Sequence, residues 1–136
     1  MKIALVVSDF NFDVTSVMAE RARRHVEFLG AEVARVVHVP GVFDMPLAVK
    51  KLLRRKDVDG VVMIGSVIKG DTNHDELIAG ATAGAAVDLA LEFDKPVGLG
   101  VTGPGMDRMQ ALDRIDNAKN AAESVVRMLR ILKDLD

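Results

Sequence analysis

Apolar and polar positions alternate along the chain in blocks whose period changes from two to about three and a half and back. Ile3 to Val7 is an unbroken apolar run, which fits a strand covered on both faces. A polar loop, Ser8 to Asp13, follows. Val14, Met18, Ala22, Val26 and Leu29 then recur at helical spacing, and Gly30 suits a helix stop. Glu32 to Val39 is apolar and β-branched, so a second strand is predicted, ended by Pro40-Gly41. Leu47 to Leu53 reads as a short helix with Pro46 near its first turn. Val58 to Gly65 is a third strand and Ser66 to His74 a loop. Glu76 to Phe93 is a long Ala-rich helix. Pro96 to Val101 is a fourth strand, closed by Thr102-Gly103-Pro104-Gly105. The remainder is helical, with Ala118, Ala122, Val125, Leu129 and Leu132 on one face and a break near Asp116-Asn117, since Asn is a good N-cap.

Four strand-to-helix alternations predict a four-stranded parallel sheet with right-handed crossovers and helices on both faces, a three-layer α/β/α sandwich of flavodoxin-like type. With 136 residues and no linker, repeat or low-complexity segment, one domain over 1–136 is expected; a chain of this size buries roughly two-thirds of its unfolded surface. The first apolar run is too short for a signal peptide or a membrane span.

Composition narrows the function classes. A net charge of -2 and 4% aromatic residues give neither the basic surface nor the stacking platforms of a nucleic-acid binder, and no pull toward an anionic membrane. The chain has no cysteine, which removes disulfides, thiolate metal sites and a cysteine nucleophile, and fits a cytoplasmic setting. His25, on a predicted helix, and His38, on a strand, lack ligand spacing with His74, so no metal site is expected.

In open α/β sheets ligands bind beyond the carboxyl ends of the strands. Here those ends are Ser8 to Asp13, Pro40 to Met45, Gly65 to Asp75 and Thr102 to Met106. Gly70-Asp71-Thr72 before a helix start offers a turn, a hydroxyl and backbone N–H groups to an anion, and His74 beside it is a residue that moves protons near neutral pH. The competing reading is an ordinary capping loop. Phe10 is placed to stack on a flat heterocycle, or, like Phe12, to cover the core edge. Asp44 is either an acceptor for ligand hydroxyls or a helix cap. Gly98, Gly100 and Gly103 fit a G-x-G-x-x-G spacing, but two of them fall inside a strand, where close packing is the better explanation. The run from Lys50 to Lys56 reads as a solvated helix end.

Taken together, four segments resemble those of 6,7-dimethyl-8-ribityllumazine synthases. They are Ser8 to Asn11, Pro40 to Ala48, Gly65 to His74, and Gln110 to Arg114, in order and over nearly the whole chain. The short length and Gly103-Pro104-Gly105 look like archaeal members. The resemblance implies condensation of 5-amino-6-(D-ribitylamino)uracil with 3,4-dihydroxy-2-butanone 4-phosphate, releasing phosphate and water, without metal or organic cofactor. It implies that Phe10 stacks on the pyrimidine with Asn11 as a neighbouring contact, that Gly41, Val42 and Phe43 contact the ribityl chain, and that Asp44 binds its hydroxyls. Ser66, Val67 and Ile68 would line the pyrimidine, Gly70, Asp71 and Thr72 would hold the phosphate, and His74 would transfer protons. Leu99 stands where the family has an aromatic that closes the pocket from the adjacent subunit, and Arg114 matches an arginine that clamps the phosphate across the same boundary. Leu99 cannot stack as an aromatic does, so looser ring binding is expected there. A lysine of bacterial members falls at Ala122, three residues after Lys119, a candidate substitute. The family forms pentamers, often twelve of them in an icosahedral shell, and the lack of an insertion near Asn117 favours the shell. Two rivals are an archaeal riboflavin synthase, which dismutates two lumazines and releases no phosphate, and a non-catalytic flavodoxin-like binding domain.

Overall fold

In the computed structural model, which describes residues 1–69 and 74–136, four strands form one parallel sheet: β1 (Lys2–Ser8), β2 (Glu32–Val39), β3 (Gly60–Ile68) and β4 (Val97–Met106). Their spatial order is β2-β1-β3-β4. The helices are α1 (Phe12–Phe28), α2 (Met45–Leu53), α3 (Asp75–Phe93), α4 (Arg108–Asp113) and α5 (Asn117–Leu135), and a single 3-10 turn, Val42–Asp44, precedes α2.

The expected three layers are present because β1 and β3 are apolar on both faces. Ile3, Leu5 and Val7 point with Val62 and Ile64 into a core closed by Met18 and Val26 of α1 and Ala118 and Val125 of α5. Ala4 and Val6 point the other way with Val61 and Met63, into a core closed by Val49 and Leu53 of α2 and Ala86 and Leu89 of α3. The alternation of side chains along a strand thus feeds two cores from one sequence run. β2 lies at the sheet edge, and its Glu32, Arg35 and His38 are exposed there, as suits an edge strand.

Two strands run further than their sequences suggest. β3 continues through Ser66, Val67 and Ile68, and β4 through Thr102 to Met106. Each extension supplies the other with a partner: Ser66 pairs with Thr102 and Ile68 with Met106, the buried Thr102 hydroxyl lies 3.2 Å from that of Ser66, and Lys69 N–H donates to the Met106 carbonyl at 2.7 Å. Turn-forming glycines and proline mask this pairing in the sequence. The glycines of the G-x-G-x-x-G spacing serve packing, as expected: a β-carbon on Gly98 would stand 2.8 Å from the Ala121 carbonyl oxygen, and one on Gly100 2.7 Å from that of Met63. The chain does break before Asn117, but neither Asn117 nor Asp116 caps α5 through its side chain; the Asp116 carboxylate accepts instead from Arg21 at 2.7 Å. Among the described residues no helix is long and apolar enough to cross a membrane.

Candidate functional site

The strand order reverses between β1 and β3, and a crevice opens beyond the carboxyl ends of strands at such a point. A cleft of about 210 Å³ lies there, lined by Phe10, Gly41, Val42, Phe43, Ser66, Val67, Ile68 and Ile78. Seven of these eight were singled out from sequence.

Phe10 is held by its backbone. Its N–H donates to the Pro40 carbonyl at 3.0 Å, the preceding Asp9 N–H donates to that of Val39 at 2.8 Å, and the Ser8 hydroxyl approaches the Phe10 carbonyl at 3.4 Å. The residue is left 56% exposed. An exposed phenyl on a fixed backbone can stack on a flat ligand, and this one does not cover the core edge. Phe12 turns away from the cleft and packs at 6.2 Å against the His38 ring.

Asn11 adopts a left-handed conformation (φ 62°) at the start of α1, a conformation Asn tolerates better than most residues. Its side-chain Nδ2 donates to the Ser66 carbonyl at 2.9 Å. It does not line the cleft; it ties the β1 loop to the end of β3.

The opposite wall is the 3-10 turn. Gly65 makes room for it, since a β-carbon there would meet Val42 Cγ2 at 2.6 Å and Met45 Cε at 3.1 Å. Asp44 does not cap α2 through its side chain. Its Oδ2 accepts from the Gly41 N–H at 3.0 Å, beside the exposed ring of Phe43. The cap reading of Asp44 is corrected: the carboxylate is engaged with Gly41 N–H and does not cap α2.

His74 is exposed at the N-terminal end of α3, where its carbonyl accepts from the Ile78 N–H at 2.9 Å. Gly70, Asp71 and Thr72 lie outside the described residues. The start of α3 is joined to the β4 extension by Asp75, whose Oδ2 accepts from Gly105 N–H at 3.0 Å.

Two expected site residues are not brought to this cleft by a single chain. Leu99, in the middle of β4, lines a separate shallow groove with Ala83, Val87 and Leu91 of α3. Arg114 is exposed at the end of α4. Ala122, the position of the bacterial lysine, is fully buried, whereas Lys119 lines a groove between α1 and α5 with Arg21, Arg24 and Asp116.

Sequence reasoning missed two residues. Ile78 forms the floor from α3, and one apolar residue in an apolar helix carries no distinguishing signal. Arg108, at the start of α4, is the other: its guanidinium meets Asp13 at 2.6 Å and Asn11 Oδ1 at 3.2 Å. A lone arginine near a helix start carries no motif.

The carboxyl groups with shifted acidity lie elsewhere. Hydrogen bonds from Arg23 and Arg24 hold Glu20 below its ordinary value, one from Arg55 does the same for Asp57, one from Arg21 for Asp116, and one from His25 for Glu123. These are surface ion pairs, and none lines the cleft. His25 and His38 are each paired with a carboxylate, Glu123 at 2.9 Å and Asp9 at 3.2 Å. Among the described residues no cluster of three or more His, Asp or Glu side chains is placed to hold a metal ion.

Residues 1–133 match the family model of 6,7-dimethyl-8-ribityllumazine synthase. Relatives bearing that name are 54% identical over 133 residues in Picrophilus torridus, covering 98% of both chains. They are 51% identical over 134 residues in Methanothermobacter thermautotrophicus, covering 98% of this chain and 96% of the relative. In Methanocaldococcus jannaschii the identity is 52% over 136 residues, covering 100% of this chain and 96% of the relative. Similarity of this level, running end to end, settles the lineage: the chain belongs to the 6,7-dimethyl-8-ribityllumazine synthase family.

Proposed function

We propose that the cleft at the β1/β3 switch point is where this chain carries out the activity of its family, the synthesis of 6,7-dimethyl-8-ribityllumazine, a transferase reaction of riboflavin biosynthesis. The observation that carries the site is the convergence of Phe10, the Gly41–Phe43 turn and the Ser66–Ile68 strand end on one apolar slot. An apolar slot with a phenyl wall and strand-end backbone suits a flat pyrimidine, stacked on one face and read at its edge.

In this reading the ribityl chain leaves the slot past Gly41 and Phe43 toward Asp44, whose carboxylate accepts from the sugar hydroxyls. The phosphate of 3,4-dihydroxy-2-butanone 4-phosphate binds at Gly70, Asp71 and Thr72. The pyrimidine's 5-amino group attacks the ketone, and water leaves as an imine forms. Departure of phosphate is eased where its charge meets backbone N–H groups and the Arg114 guanidinium. His74, at the entrance of α3, moves the protons of the tautomerisation that follows. Attack by the ribitylamino nitrogen closes the second ring and releases a second water. Each step is a condensation, an elimination or a proton transfer, with no net redox change, so no cofactor enters. Much of the acceleration comes from holding two small reactants in register, so loss of His74 is expected to cost less than loss of Arg114.

The site as proposed is completed by a neighbouring copy that lends Leu99 and Arg114. Two observations support this. The cleft of one chain is smaller than the roughly 300–1,000 Å³ that enclose a drug-sized ligand. And α3 leaves large apolar side chains on its outer side: Leu77, Val87 and Leu91 are 67%, 59% and 74% exposed while Ala86 and Leu89 face the core. Large apolar side chains exposed together on one helix suit a contact with another chain. The assembly proposed is a homo-oligomer, a pentamer that associates further into an icosahedral shell, in the cytoplasm.

The test is release of inorganic phosphate from the butanone phosphate with the ribitylaminouracil present, followed with the growth of lumazine absorbance and with a mass measurement in solution. Phosphate and lumazine formed in equal amounts support the reading. Lumazine consumption with riboflavin formation and no phosphate supports a riboflavin synthase, and ligand binding without turnover supports a binding domain.

A further inference from the structure

Arg108 ties the start of α4 to the start of α1, and through it to the end of β3. From the start of α4 its Nη1 reaches Asp13 in the first turn of α1 at 2.6 Å, and its Nη2 reaches Asn11 Oδ1 at 3.2 Å. Asn11 passes the connection on, because its Nδ2 donates to the Ser66 carbonyl at 2.9 Å. A primary amide with its oxygen on a guanidinium and its nitrogen on a carbonyl has one way round: turned over, it would face donor to donor and acceptor to acceptor. Arg108 therefore favours one of the two orientations in which the Asn11 amide can meet β3.

We infer that Arg108 is a positioning residue for the pyrimidine half of the reaction, acting through Asn11 on Phe10 and Ser66. This rests on the reading of the cleft given above. Two walls of the slot depend on Asn11. Phe10 is its chain neighbour, so the Asn11 side chain, held by Arg108 and by the Ser66 carbonyl, steadies the turn that carries the phenyl ring. Ser66 begins the strand segment that lines the slot, and the Asn11 amide engages its carbonyl. Both walls belong to the slot assigned to the pyrimidine, so the effect of losing Arg108 is expected on that substrate.

Stability and binding separate here. The Arg108–Asp13 pair is half exposed, with side-chain exposures of 50% and 66%, and pairs of that kind add little to folding. A variant at Arg108 is thus expected to fold as the wild type does and still bind the pyrimidine poorly.

The experiment is steady-state phosphate release by full-length assembled protein carrying Arg108→Met, Arg108→Lys, Asn11→Ala, or Arg108→Met with Asn11→Ala, varying each substrate in turn, alongside thermal unfolding. Arg108→Met is expected to raise the KM for the ribitylaminouracil about tenfold, with kcat within about twofold and the KM for the butanone phosphate unchanged. The melting temperature should move by less than about 2 °C. Arg108→Lys recovers part of the affinity, and the double variant is no worse than Asn11→Ala alone. An unchanged pyrimidine KM overturns the inference and leaves Arg108 a surface ion pair. So does a rise confined to the butanone phosphate, which would make Arg108 a phosphate ligand, or a parallel loss of kcat and melting temperature in both Met and Lys variants. If wild-type protein releases no phosphate, the reading of the cleft fails first and this inference falls with it; wild-type turnover with an indifferent Arg108→Met sinks this inference alone.

Discussion

Gly103 and the Val67 carbonyl occupy the space that a side chain at position 103 would need: a β-carbon built on Gly103 would stand 2.3 Å from that oxygen. The backbone there also has φ +102°, outside the range L side chains adopt readily. The two strand extensions, β3 to Ile68 and β4 to Met106, close on each other through this contact, and Val67 lines the cleft. Gly103→Ala is therefore expected to lose roughly 3 kcal/mol or more, from backbone strain and overpacking together, and to raise the KM for the pyrimidine as the strand end shifts. Gly105 is the internal control. Its φ is +77° but nothing lies within 4 Å of a β-carbon there, so Gly105→Ala carries only the left-handed penalty, about 1 kcal/mol. Urea denaturation of both variants checks this; equal losses would mean the Val67 contact is relaxed at no cost.

Phe10 is exposed, and its backbone, not its ring, secures the loop. Phe10→Ala should leave the unfolding midpoint close to that of the wild type. It should weaken pyrimidine binding by about 1–3 kcal/mol, the size of a lost base–aromatic stack. Calorimetric titration with the ribitylaminouracil alone measures this directly. A drop in stability with binding intact would return Phe10 to the role of core cover.

What could be read from the sequence followed from whether a residue's neighbours in space were also near it in the chain's periodicity. The strands, the helices and the four loops at the sheet's edge were legible, because burial on both faces forces apolar runs in β1 and β3 and a 3.6-residue period in α1 and α5. The topology pointed to the four loops at the sheet's edge, while Gly41 to Phe43 and Ser66 to Ile68 were picked out within them by the family resemblance, and they line the cleft with Phe10. The β4 extension was not: Gly103-Pro104-Gly105 reads as a turn, and only pairing with Ser66 and Ile68 makes it strand. Arg108 and Ile78 were not legible either, because their roles lie in contacts with Asn11, Asp13 and the cleft, and nothing in their own neighbourhood of sequence announces these. Leu99 and Arg114 are a different case. Their proposed partners are on another copy, so no reading of one chain's interior brings them to the cleft.

Asp116 links α5 to α1 through Arg21 at 2.7 Å, and that hydrogen bond holds its carboxyl below the ordinary aspartate value. The sign follows from linkage: a group whose acidity is strengthened by folding stabilises the folded state above its unfolded pKa, and that contribution is lost as pH falls through the folded one. Glu123, lowered chiefly by its hydrogen bond with His25, behaves likewise on the same pair of helices. Asp116→Asn is therefore expected to lower the melting temperature slightly at neutral pH and not at all once the pH is well below the ordinary carboxylate range. The effect is small because both partners are exposed. Thermal scans across acid pH check it, and a difference that grows as the pH falls would show the sign to be wrong.

In the proposed assembly one copy's Phe10 cleft works with the next copy's Arg114, and subunit-mixing experiments test this directly. Take two variants, Phe10→Ala and Arg114→Ala. If the site lies within one chain, every site in a mixed assembly contains one damaged residue, and co-expression restores nothing. If the site spans a head-to-tail boundary between copies, random co-assembly places an Arg114→Ala chain's intact cleft against a Phe10→Ala chain's intact arginine at about a quarter of the boundaries. Those sites are wild type in every residue. Phosphate release by the co-expressed pair should therefore rise to about a quarter of the wild-type rate, well above either variant alone. Separately purified variants, mixed without disassembly, should show no such gain. The same design with His74→Ala in place of Phe10→Ala gives the same quarter only if His74 and Phe10 serve the cleft from the same copy. Recovery in the first pair and none in the second would place the histidine on the arginine's side of the boundary.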